Sequence, residues 1–355
     1  MTDRPAAAQG AFAALGAQVA VITDPANRRW LTGFTGSSGL VILRDGVAEL
    51  ITDGRYTIQA QAEVRPGVRV TTDSRRTAGG LGEHLAGHSG PVAVEADHLT
   101  VAQMADLERD LSLISWVTTR GVLANLRAVK DSDELAAIRQ AFAVADGAFG
   151  ELLPEVQPGA RELDLALSLE GAIRRHEGCG LGFESIVVSG PRCALPHGQP
   201  SGRQLAVGDL VTIDWGATVV GYTSDCTRTL AVGQLQEPGR RIYQVVKAAM
   251  EAAIAAARPQ TLGKDVHAAA RAVIEAAGYG ANFVHGTGHG LGLEIHEAPA
   301  LGARSEDRLQ VGMVVTFEPG IYIEGYGGVR IEQTGIITEG PVEILSGLPT
   351  ELQIC

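Results

Sequence analysis

Leu210-Val211-Thr212-Ile213-Asp214-Trp215-Gly216, followed by Tyr222-Thr223-Ser224-Asp225-Cys226-Thr227-Arg228-Thr229-Leu230, is the stretch from which the rest of the chain can be read. Both halves are rich in β-branched and aromatic residues, and each carries one carboxylate among apolar neighbours. Gly216 and Gly221 bracket the middle, so the pattern predicts two antiparallel strands. A fold-back near Val219 to Gly221 sets Asp214 and Asp225 face to face across the ladder. Opposed Cβ atoms in such a ladder sit about 4.5–5.5 Å apart. Two like charges at that separation, among apolar residues, are unfavourable unless a cation lies between them. A divalent metal is the simplest candidate, and two metals about 3.5–4 Å apart are a known catalytic arrangement.

Three later stretches supply partners for these aspartates. His285-Gly286-Thr287-Gly288-His289-Gly290-Leu291-Gly292 places two imidazoles among four glycines, and glycine lets backbone approach a ligand closely. The dinucleotide pattern Gly-x-Gly-x-x-Gly does not fit, because positions 291 and 293 are leucines, and no Walker motif is present. A lone histidine is more often structural than functional. With His296 there are three histidines in twelve residues, beside glycines, and this density favours function. Thr316-Phe317-Glu318-Pro319-Gly320 puts a carboxylate at the end of an apolar strand. Val329-Arg330-Ile331-Glu332 reads as a further strand, on which Arg330 and Glu332, two apart, share a face. Taken alone, those two would read as a surface ion pair of little consequence. Together, Asp214, Asp225, His289, Glu318 and Glu332 offer four carboxylates and one imidazole. That donor set suits manganese, cobalt, zinc or iron better than a thiolate zinc site would. Calcium is disfavoured, since no EF-hand loop is present.

The totals bound the alternatives. At 355 residues the chain is too long for one ordinary domain and fits two. A hydrophobic fraction of 45% and a charged fraction of 20% describe a globular protein. The net charge of −12 argues against nucleic acid or an anionic membrane as the main partner. Cys179, Cys193, Cys226 and Cys355 show no Cys-x-x-Cys spacing and read as reduced thiols in a cytoplasmic protein. No apolar run approaches about 18 residues, so no membrane span is expected. The alanine-rich segment from Ala6 to Val21 is interrupted by Gln9, Gly10, Gly16 and Gln18, which argues against a signal peptide.

Taken in order, residues 1–122 read as a mixed α/β domain. A helix over Pro5 to Gly16 leads into a strand at Val19 to Ile22. Gly39 to Leu43 and Val47 to Thr52 form a hairpin around Asp45-Gly46. A helix at Tyr56 to Glu63, strands at Val68 to Val70 and Val92 to Glu95, and helices near Gly80 to Ala86 and Val101 to Arg109 complete it. Arg28-Arg29-Trp30 and Phe34 to Gly39 read as a polar loop with aromatics. That loop is either a surface turn or a cover over an active site formed elsewhere. Residues 123–355 read as the second domain. Its first helix opens at Lys130 to Glu134, with Asp131 or Ser132 as N-cap, and Leu135, Ile138, Phe142 and Phe149 along its apolar face. A helix over Glu162 to His176, a strand over Ser185 to Ser189, the Pro196-His197-Gly198 loop and the aspartate strands follow. Helices at Arg240 to Ala256 and Lys264 to Ala277 then precede the strands that carry Glu318 and Glu332. Helix, helix and strands thus occur twice, which suggests two similar halves about a pseudo-twofold.

The ordered set Asp-x10-Asp, His-Gly-x-Gly-His-Gly-x-Gly, Phe-Glu-Pro-Gly and Val-Arg-Ile-Glu resembles the M24 metallopeptidases, which have the pita-bread fold. The likeness covers most of the chain. Trp30-Leu31-Thr32-Gly33-Phe34-Thr35-Gly36-Ser37 is similar to the Xaa-Pro peptidase branch, which contains aminopeptidase P and prolidase. The resemblance implies an α/β (α+β) protein with a creatinase-like N-terminal domain and a pita-bread catalytic domain. It implies Asp214, Asp225, His289, Glu318 and Glu332 as ligands of two divalent metals, manganese first, cobalt or zinc second. Asp225 and Glu332 match the residues that touch both metals. His197, His285 and His296 match histidines around the metals, and Arg330 matches the arginine before the last glutamate ligand. The implied chemistry is attack by an activated water on the carbonyl preceding proline. His296 and His197 would hold the carbonyl oxygen, and Glu318 would take the proton and relay it to the leaving nitrogen. The implied partners are peptides with proline second, and the implied assembly is a homodimer.

Within that branch, a dipeptidase needs a cation for the proline carboxylate. Prolidases of this type often carry an arginine four residues after the histidine matching His296. Here that residue is Ala300, so the sequence favours aminopeptidase P, with prolidase as the alternative unless Arg28, Arg29 or Arg55 of a partner subunit supplies the charge. Methionine aminopeptidase does not need such an N-terminal domain, creatinase does not keep the full metal set, and a non-catalytic binding protein on this fold would usually have lost ligands.

Overall fold

The computed structural model describes residues 3–73, 78–176 and 178–355, and they divide into two compact units, Met1–Arg127 and Ala128–Cys355. The sequence reading placed the boundary after residue 122. The helix Val122–Ala128 occupies that region instead, and the division falls near its end.

The first unit holds helices α1 (Arg4–Ala14), α2 (Pro25–Thr32), α3 (Thr57–Glu63), α4 (Ala78–His84), α5 (Val101–Asp110) and α6 (Val122–Ala128). Its strands are β1 (Val19–Ile22), β2 (Leu40–Arg44), β3 (Val47–Thr52), β4 (Arg69–Thr72), β5 (Pro91–Glu95) and β6 (Ser115–Thr119). They form one sheet in the order β4-β3-β2-β1-β5-β6. The β2–β3 hairpin turns at Asp45 and Gly46, at φ 51° and 71°, the doubly positive pair that a two-residue hairpin loop requires.

One expectation fails in this unit. Residues 28–32 are helical, not a polar loop. Asp24 caps α2 by accepting from the Asn27 amide at 2.7 Å, Pro25 occupies its first turn, and Gly33 closes it at φ 83°. These are ordinary start and stop signals, but the run of arginines obscured them. Arg28 is buried and donates to the carbonyls of Gly36 and Gly39, each at 2.7 Å. Its charge holds its own loop, so it is not a free cation for a substrate. Arg55 is held by Asp53 at 2.8 Å.

The second unit opens with α7 (Ser132–Leu152), whose N-cap Asp131 and third residue Glu134 form a reciprocal capping box. Then come α8 (Glu162–Arg174), β7 (Cys179–Leu181), β8 (Ile186–Ser189), β9 (Leu210–Trp215), β10 (Ala217–Val219), β11 (Tyr222–Thr223) and β12 (Cys226–Ala231). The second series is α9 (Gly239–Ala256), α10 (Gly263–Ala276), β13 (Gly288–Gly290), β14 (Glu297–Leu301), β15 (Val314–Phe317), β16 (Gly320–Ile323), β17 (Gly327–Arg330), β18 (Gln333–Ile336) and β19 (Glu343–Ile344). Each helix pair backs its own core. One gathers Ile138, Phe142, Phe149, Leu169, Val211, Ile213 and Trp215, and the other gathers Ile242, Val246, Val266, Ile274, Val315, Phe317 and Val329. Trp215 stacks on Phe149 with centroids 4.5 Å apart and donates its indole N–H to the Ala145 carbonyl at 3.0 Å.

Three features of this unit set up its cavity. The β9–β12 ladder pairs Asp214 with Thr227, not with Asp225. A Cβ on Gly216 would lie 2.0 Å from the Ser224 carbonyl oxygen, so only glycine permits the crossing that displaces Asp225. The expected face-to-face pair is therefore a diagonal one. In β13, a Cβ on Gly288 would meet the Thr316 carbonyl oxygen at 1.9 Å and one on Gly290 the Ala298 carbonyl oxygen at 2.1 Å, which brings His289 close to β14 and β15. Finally, buried Glu162 accepts from the amide and hydroxyl of Ser189, both at 2.8 Å, and from those of Ser201 at 3.1 and 2.6 Å. It thereby closes both ends of the excursion that carries His197. Among the described residues no helix is long and apolar enough to cross a membrane.

Because Trp215 joins the ladder carrying Asp214 to the α7–α8 core, Trp215→Ala is expected to cost about 3–5 kcal/mol. Urea unfolding of the full-length protein measures it.

Candidate metal centre and active site

Nine positions singled out from sequence converge in the second unit. His197, Asp214, Asp225, His285, His289, His296, Glu318 and Arg330 line one cavity of about 300 Å³, together with Phe183, Ile186, Pro196 and Ile295. Glu332 lies behind the lining, 1% exposed, in the break between β17 and β18. The continuous strand expected through Val329 to Glu332 is thus interrupted. The Glu332 amide instead donates to the Thr227 carbonyl at 3.1 Å, which ties it to β12.

One ligand atom from each of Asp214, Asp225 and Glu332 falls within 4.8 Å of the other two. His289 Nε2 is 3.6 Å from Asp225 Oδ2 and 3.3 Å from Glu318 Oε1. Four carboxylates and one imidazole therefore share one small volume. The surface ion pair between Arg330 and Glu332 does not form. Arg330, 3% exposed, donates to Asp214 Oδ2 at 2.6 Å instead.

This arrangement fits a cation. Asp214 Oδ1 and Glu332 Oε1 are buried with no hydrogen-bond partner. An unsatisfied buried carboxylate oxygen is costly, and a metal held among these carboxylates would satisfy both. His289 Nδ1 lies 3.0 Å from the Gly290 carbonyl oxygen and so carries a proton, which leaves Nε2, facing the carboxylates, as the nitrogen that would exchange its proton for a metal. A backbone carbonyl that fixes the tautomer in this way is the usual companion of a ligating histidine.

The electrostatics point the same way. Burial, then the neighbouring Glu332, Asp214 and Glu318, hold the Asp225 carboxyl well above the ordinary range. Burial, then Glu318 and Asp214, do the same to Glu332. Burial also raises Asp214, against the pull of Arg330. Glu318 goes the other way: burial opposes ionisation, but its hydrogen bond and charge contact with His289 outweigh it. Burial likewise disfavours the His289 cation, and Glu318 outweighs that as well, so His289 is raised.

Around this centre the side chains form a second network. Arg330 Nη1 donates to the Tyr322 hydroxyl at 3.0 Å and to the Pro196 carbonyl at 3.1 Å. The Tyr322 hydroxyl lies 2.9 Å from His285 Nε2, and His285 Nδ1 lies 2.7 Å from the Gly286 carbonyl. The geometry requires Nδ1 to be the donor, so Tyr322 donates to Nε2 and burial keeps the imidazole neutral. Tyr322 was not singled out from sequence. It sits in an apolar strand four residues past Glu318, and nothing but its hydroxyl sets it apart. His285 is engaged at both nitrogens. By contrast, His296 is exposed and packs edge-on against His289, with centroids 4.3 Å apart, and His197 is exposed at the cavity rim. Both rings line the cavity.

Residues 136–339 match metallopeptidase family M24, and residues 4–129 match the creatinase/prolidase N-terminal domain. The chain is 42% identical over 231 residues to an Xaa-Pro dipeptidase of Pyrococcus furiosus, covering 65% of this chain and 66% of that one. Among solved structures it resembles an Xaa-Pro dipeptidase from Bacillus anthracis, with a TM-score of 0.95 and 35% identity over 99% of both chains. It also resembles an X-Pro aminopeptidase from Thermotoga maritima, with a TM-score of 0.89 and 31% identity over 97% of both.

The raised carboxyls make a prediction for the metal-free protein. A carboxyl whose folded pKa lies above its unfolded value binds more protons when folded, so stability falls as pH rises from the unfolded value, about 4, through the raised one. Asp225→Asn removes one of the repelling charges. Metal-free Asp225→Asn is expected to melt at a higher temperature than the metal-free parent at pH 7.5, with the gain vanishing near pH 4. Calorimetry after exhaustive chelation measures both.

Proposed function

This chain belongs to metallopeptidase family M24, and from that premise we propose that it is a metal-dependent exopeptidase releasing the N-terminal residue of substrates whose second residue is proline. The observation that carries the reading is the pair of orphaned oxygens, Asp214 Oδ1 and Glu332 Oε1, beside Asp225, His289 and Glu318. We assign those five residues as the side chains that would hold two divalent cations. Manganese is the working metal, with cobalt or zinc as substitutes, since the donors are chiefly oxygen. When bound, the metals supply an acidified water and a Lewis acid.

The chain's own groups would do the rest. Glu318 takes the proton from the attacking water and delivers it to the leaving nitrogen. His296 and His197 donate to the carbonyl oxygen as negative charge grows there. Arg330 holds Asp214 in place and, through Tyr322, sets the tautomer of His285. The four free cysteines agree with a reducing, cytoplasmic setting, and a homodimer is the assembly the family resemblance suggests.

The leading substrate class is the dipeptide Xaa-Pro. The Pyrococcus furiosus relative and the Bacillus anthracis structure both bear that name, and the latter exceeds the aminopeptidase structure in identity and in TM-score. This reverses the order that Ala300 suggested from sequence. The second reading, release of the first residue from longer peptides, keeps one observation in its favour. Ala300 leaves no cation at that position for a proline carboxylate.

Ala-Pro and Ala-Pro-Ala decide between the two readings. The dipeptide is expected to be hydrolysed the faster in kcat/KM; exclusive cleavage of the tripeptide would establish the aminopeptidase instead. Exhaustive chelation is expected to abolish hydrolysis and manganese to restore it, and activity that survives chelation would remove the metal from the account. His296→Ala is expected to lower kcat by roughly 10²–10³-fold at unchanged metal content.

A further inference from the structure

His296 has no hydrogen-bond partner among the described residues, so its ring depends on packing against His289 and on the backbone that carries it. That backbone is anchored one residue later. Glu297 opens β14 opposite Gly290, at the point where the β13–β14 register shifts. Its carboxylate accepts from Lys130 Nζ at 2.7 Å, and both side chains are 1% exposed. Lys130 Nζ also donates to the Ala128 carbonyl at 3.1 Å, and the Lys130 amide donates to the Gly312 carbonyl at 3.0 Å. The lysine is thus fixed at both its main chain and its side chain.

The loop between the two strands closes over this pair. A Cβ on Gly292 would lie 2.4 Å from Glu297 Oε1, and one on Gly290 would lie 2.7 Å from the Glu297 carbonyl oxygen. The Gly292 carbonyl accepts from the Thr223 amide at 2.9 Å, and the Leu291 amide donates to the Val314 carbonyl at 3.2 Å. Residues 291–296 therefore fold back onto a buried carboxylate whose position is set by a buried lysine. A buried ion pair is seldom the most stable way to fill such a space, because apolar side chains of similar volume often do as well or better. What it provides is a single register and a single distance.

We propose that Lys130 and Glu297 are positioning residues that hold the 291–296 loop so that His296 meets the substrate carbonyl. The role given to His296 rests on the exopeptidase reading above; the ordering of the loop does not.

The test compares the full-length protein with Lys130→Met, with Lys130→Met/Glu297→Leu, and with each carrying His296→Ala. The single variant takes the lysine's charge away from the buried Glu297 carboxylate and is expected to melt lower, whereas the double variant regains a cooperative transition near the parent's. The double variant is expected to bind metal at parental stoichiometry and to lose kcat by about 10²-fold, with KM within roughly threefold of the parent's. Adding His296→Ala to it should cost far less activity than the same change costs the parent. In the metal-free protein, amides of residues 291–296 should exchange faster by mass spectrometry. Should the double variant not accumulate, Glu297→Asp, which keeps the charge and shortens its reach, is expected to move exchange and kcat the same way. A double variant with parental kcat and parental exchange overturns the proposal, as does a His296→Ala penalty that is undiminished in its background. If the parent hydrolyses no Xaa-Pro substrate, the exopeptidase reading fails by itself, and exchange in the loop still decides: unchanged rates overturn the positioning role.

Discussion

Four carboxylates are forced into one small buried volume with Arg330 and His289 as the cations that meet them. Folding alone offers no reason to do this, since each acid is desolvated and repels the others. The second unit is built to bear that cost. Two cores of aliphatic and aromatic side chains, each backed by a helix pair, hold the strands that carry Asp214 and flank the other three acids. Arg330 neutralises one acid, Thr227 donates to Glu332 at 2.9 Å, and the imidazole of His289 meets Glu318. Asp214 Oδ1 and Glu332 Oε1 are left buried without a hydrogen-bond partner.

Glycine makes this concentration possible. Gly216, Gly288, Gly290 and Gly292 each stand where a Cβ would collide with a backbone or carboxylate oxygen at 2.4 Å or less. They let β9, β13 and the loops around them approach more closely than side chains would allow, and they bring acids and an imidazole far apart in sequence into one small volume. The same crowding presses the 291–296 loop onto Glu297. Close backbone packing and the placing of functional side chains are thus one structural device here.

Much of this was readable from sequence, for identifiable reasons. The strands at Val19–Ile22 and Val47–Thr52 and the turn at Asp45-Gly46 announce themselves through β-branched runs and a turn dipeptide. The residues that meet in the cavity stand out because each is a charged or imidazole group set beside glycine or inside an apolar strand. Where the reading failed, burial or register decided the outcome. Arg28 looked like a surface charge because its role depends on two carbonyls eight and eleven residues away. Asp225 was set opposite Asp214 because the crossing at Gly216 shifts the strand in a way that alternation alone does not reveal. Tyr322, Glu162, Lys130 and Glu297 stayed hidden for a related reason. Each acts through partners that are near only once the chain has folded.

The account stands on those clustered donors being a seat for a pair of divalent cations. The most direct measurement is anomalous X-ray diffraction from crystals of the full-length protein grown with manganese. Two peaks per chain are expected, about 3.5–4 Å apart, lying among Asp214, Asp225, His289, Glu318 and Glu332. An empty cavity under saturating manganese, or peaks bound only elsewhere on the protein, would contradict it.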